Sequence, residues 1–415
     1  MDREAQRELL VRLLRGRPGE VRPAELEGLS HADWEGVLQE SVAHMVTPLL
    51  YQAVKALEAP ANVPEGVVER LRGAYLHNAA RNTLIYRELS RALNALRDRG
   101  VPVVVLKGAH LAEVVYGNVA VRPMADLDLL VREGDLDAAD EALSRAGLHM
   151  FTHVRRAKHY YQQRHFHFAY TGRAGITVEV HWSLSREFEI RIDDMWARAR
   201  PARTAAAEAL VLCPEDLLLH LCMHAAFPEM YAKGIRPLCD IARTVQYYQD
   251  QIDWAEFQRT ASENELATCS YYSLVLAATV LGAEVPQPVL ERLRPRAAEP
   301  GFLKMIERRL WLPKSPPAVN VAGTPWRMLT TRGLRGKMLA FLHALFPPVE
   351  EIRRWYVLEP TSKKAYLYYP RHLLDMVRRR AKGMLHLAMK TAAARESLDR
   401  QRAEEAIREA LKPQR

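Results

Sequence analysis

At 415 residues the chain is long enough for two or three domains, and a hydrophobic content of 48% supplies an ordinary globular core. Cys213, Cys222, Cys239 and Cys269 show no C-x-x-C pairing, which argues against a zinc ribbon or disulfide framework and fits a reducing, cytoplasmic setting. No run of about 18 uninterrupted apolar residues occurs, so no transmembrane segment is expected, and the charged N-terminus does not read as a secretory signal. The net charge of +9 is unevenly placed: residues 301–415 carry 24 Lys+Arg against 10 Asp+Glu, and residues 1–300 carry 35 against 40. The basic C-terminal region suits a phosphate-rich partner or an acidic membrane surface, or simply a solvated helical face.

Residues 1–60 read as helical, with an amphipathic Ala5–Arg15 and apolar positions at helical spacing over His31–Ala53. Pro60–Pro64 is a break. Glu65–Arg99 is a long helical pattern in which Val68, Leu71 and Tyr75, then Ile85, Leu89, Leu93 and Leu96, recur at three and four, and Gly100 is its stop signal. This helix is expected to pack against the sheet that follows.

Val103–Leu106 is a short apolar run of strand type, broken by Lys107-Gly108. Ala109–Tyr116 has helical composition and Gly117-Asn118 is a turn signal. Ala125–Val131 is a second strand whose period of two puts Asp126 and Asp128 on one face and Leu127 and Leu129 on the other. Asp135–Arg145 is a helix closed by Gly147. His149–Tyr170 is rich in histidine, arginine and tyrosine; alternation predicts a strand over His165–Tyr170 with His165 and His167 on one face, and Gly172–Gly175 turns it into a strand at Ile176–Trp182. There Glu179 and His181 share one face and Val178, Val180 and Trp182 the other. The basic groups of this stretch, Lys158 and His167 above all, suit either phosphate contacts or the charged blunting of a hairpin edge.

Two carboxylates side by side on a strand repel each other and call for water or cations, and hard divalent ions with oxygen ligands are the natural partners. If the Glu179 strand lies beside the Asp126–Asp128 strand, Glu179 completes a triad able to hold a pair of Mg²⁺ ions, with Mn²⁺ as the alternative. Residues 193–290 return to helix. Cys213-Pro214-Glu215-Asp216 is a helix start with proline in its first turn and acids near the dipole. His220 and His224 stand four apart in the helix that follows, without supporting ligands for zinc at evident spacing. Lys233–Pro237 is a basic turn before a helix carrying Asp240. Pro286–Pro325 reads as a proline-containing linker with short helices, Leu373–Lys390 as a basic helix, and the tail from Thr391 to Arg415 as polar and charged, either a solvated helix or frayed.

A Gly-containing turn after a strand, then Asp-x-Asp on a strand, then a lone acid on a later strand resembles the polymerase-β-like nucleotidyltransferase superfamily. The spelling Leu106-Lys107-Gly108, Arg122-Pro123-Met124-Ala125-Asp126-Leu127-Asp128 and Glu179-Val180-His181-Trp182 is similar to its bacterial uncharacterised nucleotidyltransferase family, from about Ile85 to Leu184 and more weakly to about Tyr248. The resemblance implies an α+β, predominantly helical fold with a small mixed sheet flanked by N-terminal and C-terminal helices. The expected divisions are 1–99, a catalytic core at 100–192, a helical subdomain at 193–290 and a basic, mostly helical region at 291–415. It implies Mg²⁺-dependent transfer of a nucleoside monophosphate from an NTP, ATP by default, to an acceptor hydroxyl. Asp126, Asp128 and Glu179 then hold two metal ions and carry the catalysis. Lys107, Gly108, Arg122, Lys233, Arg236 and Asp240 bind the nucleotide or acceptor. Lys107-Gly108 stands where the wider superfamily more often has Gly-Ser, so a lysine charge replaces a hydroxyl at the triphosphate.

There is no G-x-x-x-x-G-K-[ST], no G-x-G-x-x-G and no G-x-S-x-G, so neither a P-loop, a Rossmann site nor the commonest hydrolase elbow is supported. Two other classes stand beside the enzyme: a regulatory protein that keeps the fold without turnover, which loss of the third acid would mark, and a nucleic-acid binder working through the basic C-terminal region, for which no recognised motif speaks.

Overall fold

The structure, a computed structural model, describes residues 1–312 apart from 18, 58–62, 152–153, 156–157, 173–174, 228 and 296–300; beyond them it describes 335, 338, 342, 345–347, 349–356, 358, 362–375 and 392–412. The chain forms two compact units, one of Met1–Met150, Phe166–Pro313 and Leu411–Arg415, the other of Phe151–His165 and Lys314–Ala410.

The first unit is built on a seven-stranded mixed sheet with strands β1 (Val104–Val105), β2 (Asp126–Leu130), β3 (His149–Met150), β4 (His167–Thr171), β5 (Thr177–His181), β6 (Arg200–Thr204) and β7 (Ala207–Val211). Their spatial order is β3-β4-β5-β2-β1-β7-β6. The central pair, β2 and β5, is parallel; β1 runs antiparallel to β2 and parallel to β7. Leu127, Leu129, Val178, Val180, Phe168 and Tyr170 are buried and point to one side, as the alternation requires. The 34-residue helix Glu65–Asp98 packs against β2 and β7. It ends as its sequence indicates: Gly100 takes φ +71°, and Val101 N–H returns to the Leu96 carbonyl at 2.9 Å.

The helical remainder packs Pro214–Ala226 against Arg236–Tyr247, Trp254–Glu263 and Ala267–Leu281. Pro214 sits in the first turn with Cys213 as N-cap, so the helix start read from Cys213–Asp216 is present. The fold is therefore α+β and predominantly helical. All four cysteines are buried free thiols. Among the described residues no helix is long and apolar enough to cross a membrane.

Four local readings differ from the sequence pattern. The helical stretch His31–Ala53 is two helices, His31–Ala43 and Thr47–Lys55, because Met45 takes φ +55° and Pro48 lies in the first turn of the second. Lys107 and Gly108 do not lie ahead of the next helix but open it; Lys107–His110 runs directly into a π-helical turn, Leu111–Val115. β4 begins at His167, and His165 instead follows the helix Lys158–Arg164 and stacks on Tyr161 at 4.5 Å between ring centroids. The β6–β7 hairpin lies in a stretch read as helical. Its strands carry Arg200, Pro201, Arg203 and three alanines with just Thr204 and Val211 β-branched, and its two-residue turn is Ala205-Ala206 at φ +53° and +60°, so neither a β-branched run nor an Asn-Gly signal announces it.

In the second unit, Val349–Trp355 and the 3₁₀ turn Lys363–Tyr368 pack through Tyr356 and Tyr368, whose ring centroids are 4.9 Å apart. The tail, expected as either a solvated helix or frayed, is helical over Ala392–Leu411. His153, Arg156 and the basic helix beyond residue 375 lie outside the described residues.

Candidate functional site

The parallel pairing of β2 and β5 sets Asp126 opposite Thr177 and Asp128 opposite Glu179. Side chains paired in register on one face of a sheet are near neighbours, so the three carboxylates predicted as a triad share one face. His181, two residues beyond Glu179, joins them: its Nε2 lies 3.2 Å from Asp128 Oδ1 and 3.5 Å from Glu179 Oε2. Antiparallel β4 brings His167 into register with His181, and His167 Nε2 lies 3.8 Å from Glu179 Oε1. Lys107 enters from the end of β1 and donates from Nζ to Asp128 Oδ1 at 2.9 Å.

These contacts divide the acids. Burial works against the Asp128 carboxylate, but Lys107 and His181 outweigh it and hold the group well below the usual carboxylate range. The hydrogen bond from His181 likewise holds Glu179 low, against burial. Burial would keep His181 neutral; its hydrogen bonds to Asp128 and Glu179 prevail and raise its pKa. Asp126 goes the other way, pushed up by burial and by the charge of Asp128, with Lys107 a partial counterweight. The sheet face thus carries one carboxylate, Asp126, that the surrounding cations do not fully neutralise.

Asp126 and Asp128 form one wall of a cleft of about 270 Å³ that Lys107, Gly108, Arg122, Lys233, Arg236 and Asp240 also line. Every residue predicted to bind nucleotide is therefore on this cleft. Glu179 is not; it sits one strand away. Arg122 and Asp240 are committed to each other. Both are buried, and Arg122 donates through Nε and Nη2 to the two Asp240 oxygens at 2.8 Å each, with Tyr116 Oη adding a third bond at 3.0 Å. In this geometry they tie the loop before β2 to the helix Arg236–Tyr247. Gly108 leaves space for the pair, since a Cβ there would lie 3.3 Å from Arg122 Nη1 and 3.4 Å from Met124 Sδ. Arg236 spans the rim and donates to the Pro123 carbonyl at 3.3 Å, while Lys233 is exposed at the mouth.

The loop that carries Arg122 is fixed from beneath by the long helix. Asn82 Nδ2 donates to the Val119 carbonyl at 2.5 Å and to the Arg122 carbonyl at 2.9 Å, and Asn78 Nδ2 donates to Ala120 at 2.7 Å. Irregular backbone needs such donors when it is buried.

Sequence reasoning missed two contributions. His181 was read only as a face-mate of Glu179, although Glu-x-His on a strand necessarily puts both side chains on one side. Glu229 lines the cleft and meets His224, Nδ1 to Oε1 3.5 Å; burial pushes its carboxyl up. No spacing signal links the two, because a bend separates them. His220 does not pair with His224 as a metal site: their rings lie 6.1 Å apart, and both His220 nitrogens are buried without a hydrogen-bond partner. Burial holds it neutral, with its pKa lowered to about 3. Among the described residues, the side chains that do group closely enough to hold a metal ion are His167, Glu179 and His181, each with a ligand atom within 4.8 Å of the others.

A family model described as uncharacterised nucleotidyltransferase matches residues 30–282, which takes in every strand of the sheet, the cleft and the helices around it. No curated protein and no solved structure matches the chain.

Proposed function

Because this chain belongs to the uncharacterised nucleotidyltransferase family, we propose that it moves a nucleoside monophosphate from an NTP to an acceptor hydroxyl with the help of divalent cations bound at Asp126, Asp128 and Glu179. The observation that carries the reading is the β2–β5 register, which pairs Glu179 with Asp128 and leaves Asp126 on the same face, on a cleft that Lys107, Lys233 and Arg236 also line. A regulatory protein without turnover is less well supported, since all three acids are present on one face.

The donor set fits hard cations. Asp126 is the group that shows it: its carboxyl is pushed up by burial and by Asp128, so a cation there relieves repulsion that the protein's own groups leave. When bound, Mg²⁺ supplies charge neutralisation for the triphosphate and lowers the pKa of an acceptor oxygen. Asp126 and Asp128 would hold it toward the cleft, and Glu179 would close the set from the neighbouring strand. Lys107, now paired with Asp128, is placed to exchange that partner for a phosphate oxygen. Arg236 and Lys233 supply positive charge on the facing rim. Arg122 and Asp240 shape the cleft floor and do not touch phosphate.

Incubating the full chain with each α-³²P-labelled NTP, Mg²⁺ and a cell lysate should transfer label to an acceptor in an EDTA-sensitive way, with ATP the first nucleotide to try. Label that transfers equally well with Asp126→Asn combined with Asp128→Asn would reject the assignment.

A further inference from the structure

Beyond the carboxylates, the same sheet face carries two imidazoles that nucleotide chemistry with Mg²⁺ does not require. We infer that His167, Glu179 and His181 form a binding site for one borderline divalent transition-metal ion of the zinc or ferrous-iron class, set one strand away from the cleft and beside the hard-cation position at Asp126 and Asp128.

The argument starts from the strands. β4 and β5 are antiparallel neighbours with His167 directly opposite His181, so their side chains rise from the same face, and Glu179 is two residues before His181 on that face. All three ligands stand on paired strands, which hold positions better than loops do. The two imidazole centroids are 5.0 Å apart, and Glu179 presents one oxygen to each ring, Oε1 to His167 Nε2 at 3.8 Å and Oε2 to His181 Nε2 at 3.5 Å. An ion bound at about 2.0–2.2 Å from nitrogen and oxygen donors needs its ligand atoms about 3–3.6 Å apart in tetrahedral or octahedral arrangements. The two Glu179–imidazole separations lie close to that range, and one ligand atom from each of the three side chains lies within 4.8 Å of the others, so ion binding draws the partly exposed His167 and Glu179 toward His181.

The ligand types decide the ion. Mg²⁺ and Ca²⁺ are bound almost wholly by oxygen, whereas two neutral imidazoles with one carboxylate suit Zn²⁺ or Fe²⁺. Access agrees with this. The side chains of His167 and Glu179 are 28% and 25% exposed, so the site opens to solvent on one side and has room for water ligands; the His181 side chain, at 6%, forms its closed side. Asp128, 3.2 Å from His181 Nε2, accepts from Lys107 on the cleft side, so in this structure its charge is engaged by Lys107 as well as by His181.

The site rests on strand geometry and on Glu179, which the transfer reading also uses, so the test is made without nucleotide. The full chain, stripped with chelator, is titrated with Zn²⁺ by calorimetry and with Co²⁺ by visible absorption, each with and without millimolar Mg²⁺. The expected result is one ion per chain, bound at least about a hundredfold more tightly than Mg²⁺ and not displaced by it. The Co²⁺ bands should lack the thiolate charge-transfer absorption of a cysteine site. His167→Ala and His167→Gln should each weaken Zn²⁺ at least about tenfold, while Asp126→Asn leaves it within about threefold; circular dichroism establishes that each variant is folded. Zn²⁺ bound no better than Mg²⁺ in the parent chain, or unchanged in a folded His167 variant, overturns the site. Loss of label transfer with Zn²⁺ binding intact would instead count against the transfer reading alone.

Discussion

Asp126 is the carboxylate that its surroundings compensate least. Asp128 has Lys107 and His181, and Glu179 has His181 and His167, but Asp126 is raised by burial and by its neighbour's charge. Three acids on one face suggest that neutralising any of them relieves repulsion; the contacts restrict that relief to one. Asp126→Asn should therefore stabilise the metal-free chain, by up to about 1 kcal/mol, and abolish nucleotide transfer. Glu179→Gln keeps the shape but removes the acceptor charge beneath His181, and should destabilise by about 1 kcal/mol. Thermal melts of the two variants in EDTA test the pair, and opposite signs are expected; equal destabilisation would show that Asp126 is compensated by something else. At this scale the alternation of Asp126 with Leu127 and Asp128 was fully legible, because a period of two needs only the local sequence. The Arg122–Asp240 bond was not: the partners are 118 positions apart, and each alone reads as a phosphate or acceptor contact.

The loop from Asn118 to Ala125 is irregular and nevertheless holds Arg122 and the approach to β2. Its order comes from one face of the helix Glu65–Asp98, where Asn78 and Asn82 are buried among apolar neighbours. A helix reading built on Leu71, Ile85, Leu89, Leu93 and Leu96 sees the apolar stripe and passes over the asparagines within it, although a buried amide in a helix is a signal that some backbone nearby lacks partners. Asn82→Leu should cost about 2–4 kcal/mol, since the carbonyls of Val119 and Arg122 both lose their donor. Urea unfolding reads the stability, and nucleotide affinity should fall with it because Arg122 loses its fixed backbone. A midpoint within experimental scatter of the parent would show that the loop is ordered by β2 alone. The β6–β7 hairpin makes the complementary point. Its exposed Arg200, Pro201 and Arg203 are what an edge strand carries to discourage further pairing, and those same residues hide it from a search for β-branched runs.

On the scale of the whole molecule, the family match ends at residue 282 and every predicted site residue precedes Tyr248, so a chain cut near Pro286 looks sufficient. The packing of the first unit says otherwise. Phe302 lies on Tyr272 with ring centroids 4.7 Å apart, and Ile306 and Leu310 are buried. Arg309 Nε donates to the Met230 carbonyl at 2.7 Å, at the bend that precedes Lys233. Trp311 packs edge-on against His44 at 4.8 Å and takes the Arg7 guanidinium over its ring at 5.2 Å. The helix Phe302–Leu310 therefore completes the core that carries the cleft, and the compact unit extends to Pro313. A chain ending at residue 290 should be less stable than one ending at 312 by more than about 4 kcal/mol, the cost of emptying several large apolar sites, and should lose nucleotide binding as the Met230 bend relaxes. The chain ending at 312 gives up only Pro313 and residues 411–415 of the first unit and should bind nucleotide as the parent does. Calorimetric melts of the two truncations, read with nucleotide affinity, decide the matter. Equal melting temperatures would place the functional boundary where the family match ends, whereas a soluble 312-residue chain that binds nucleotide and transfers it to no acceptor would assign acceptor recognition to the basic region beyond.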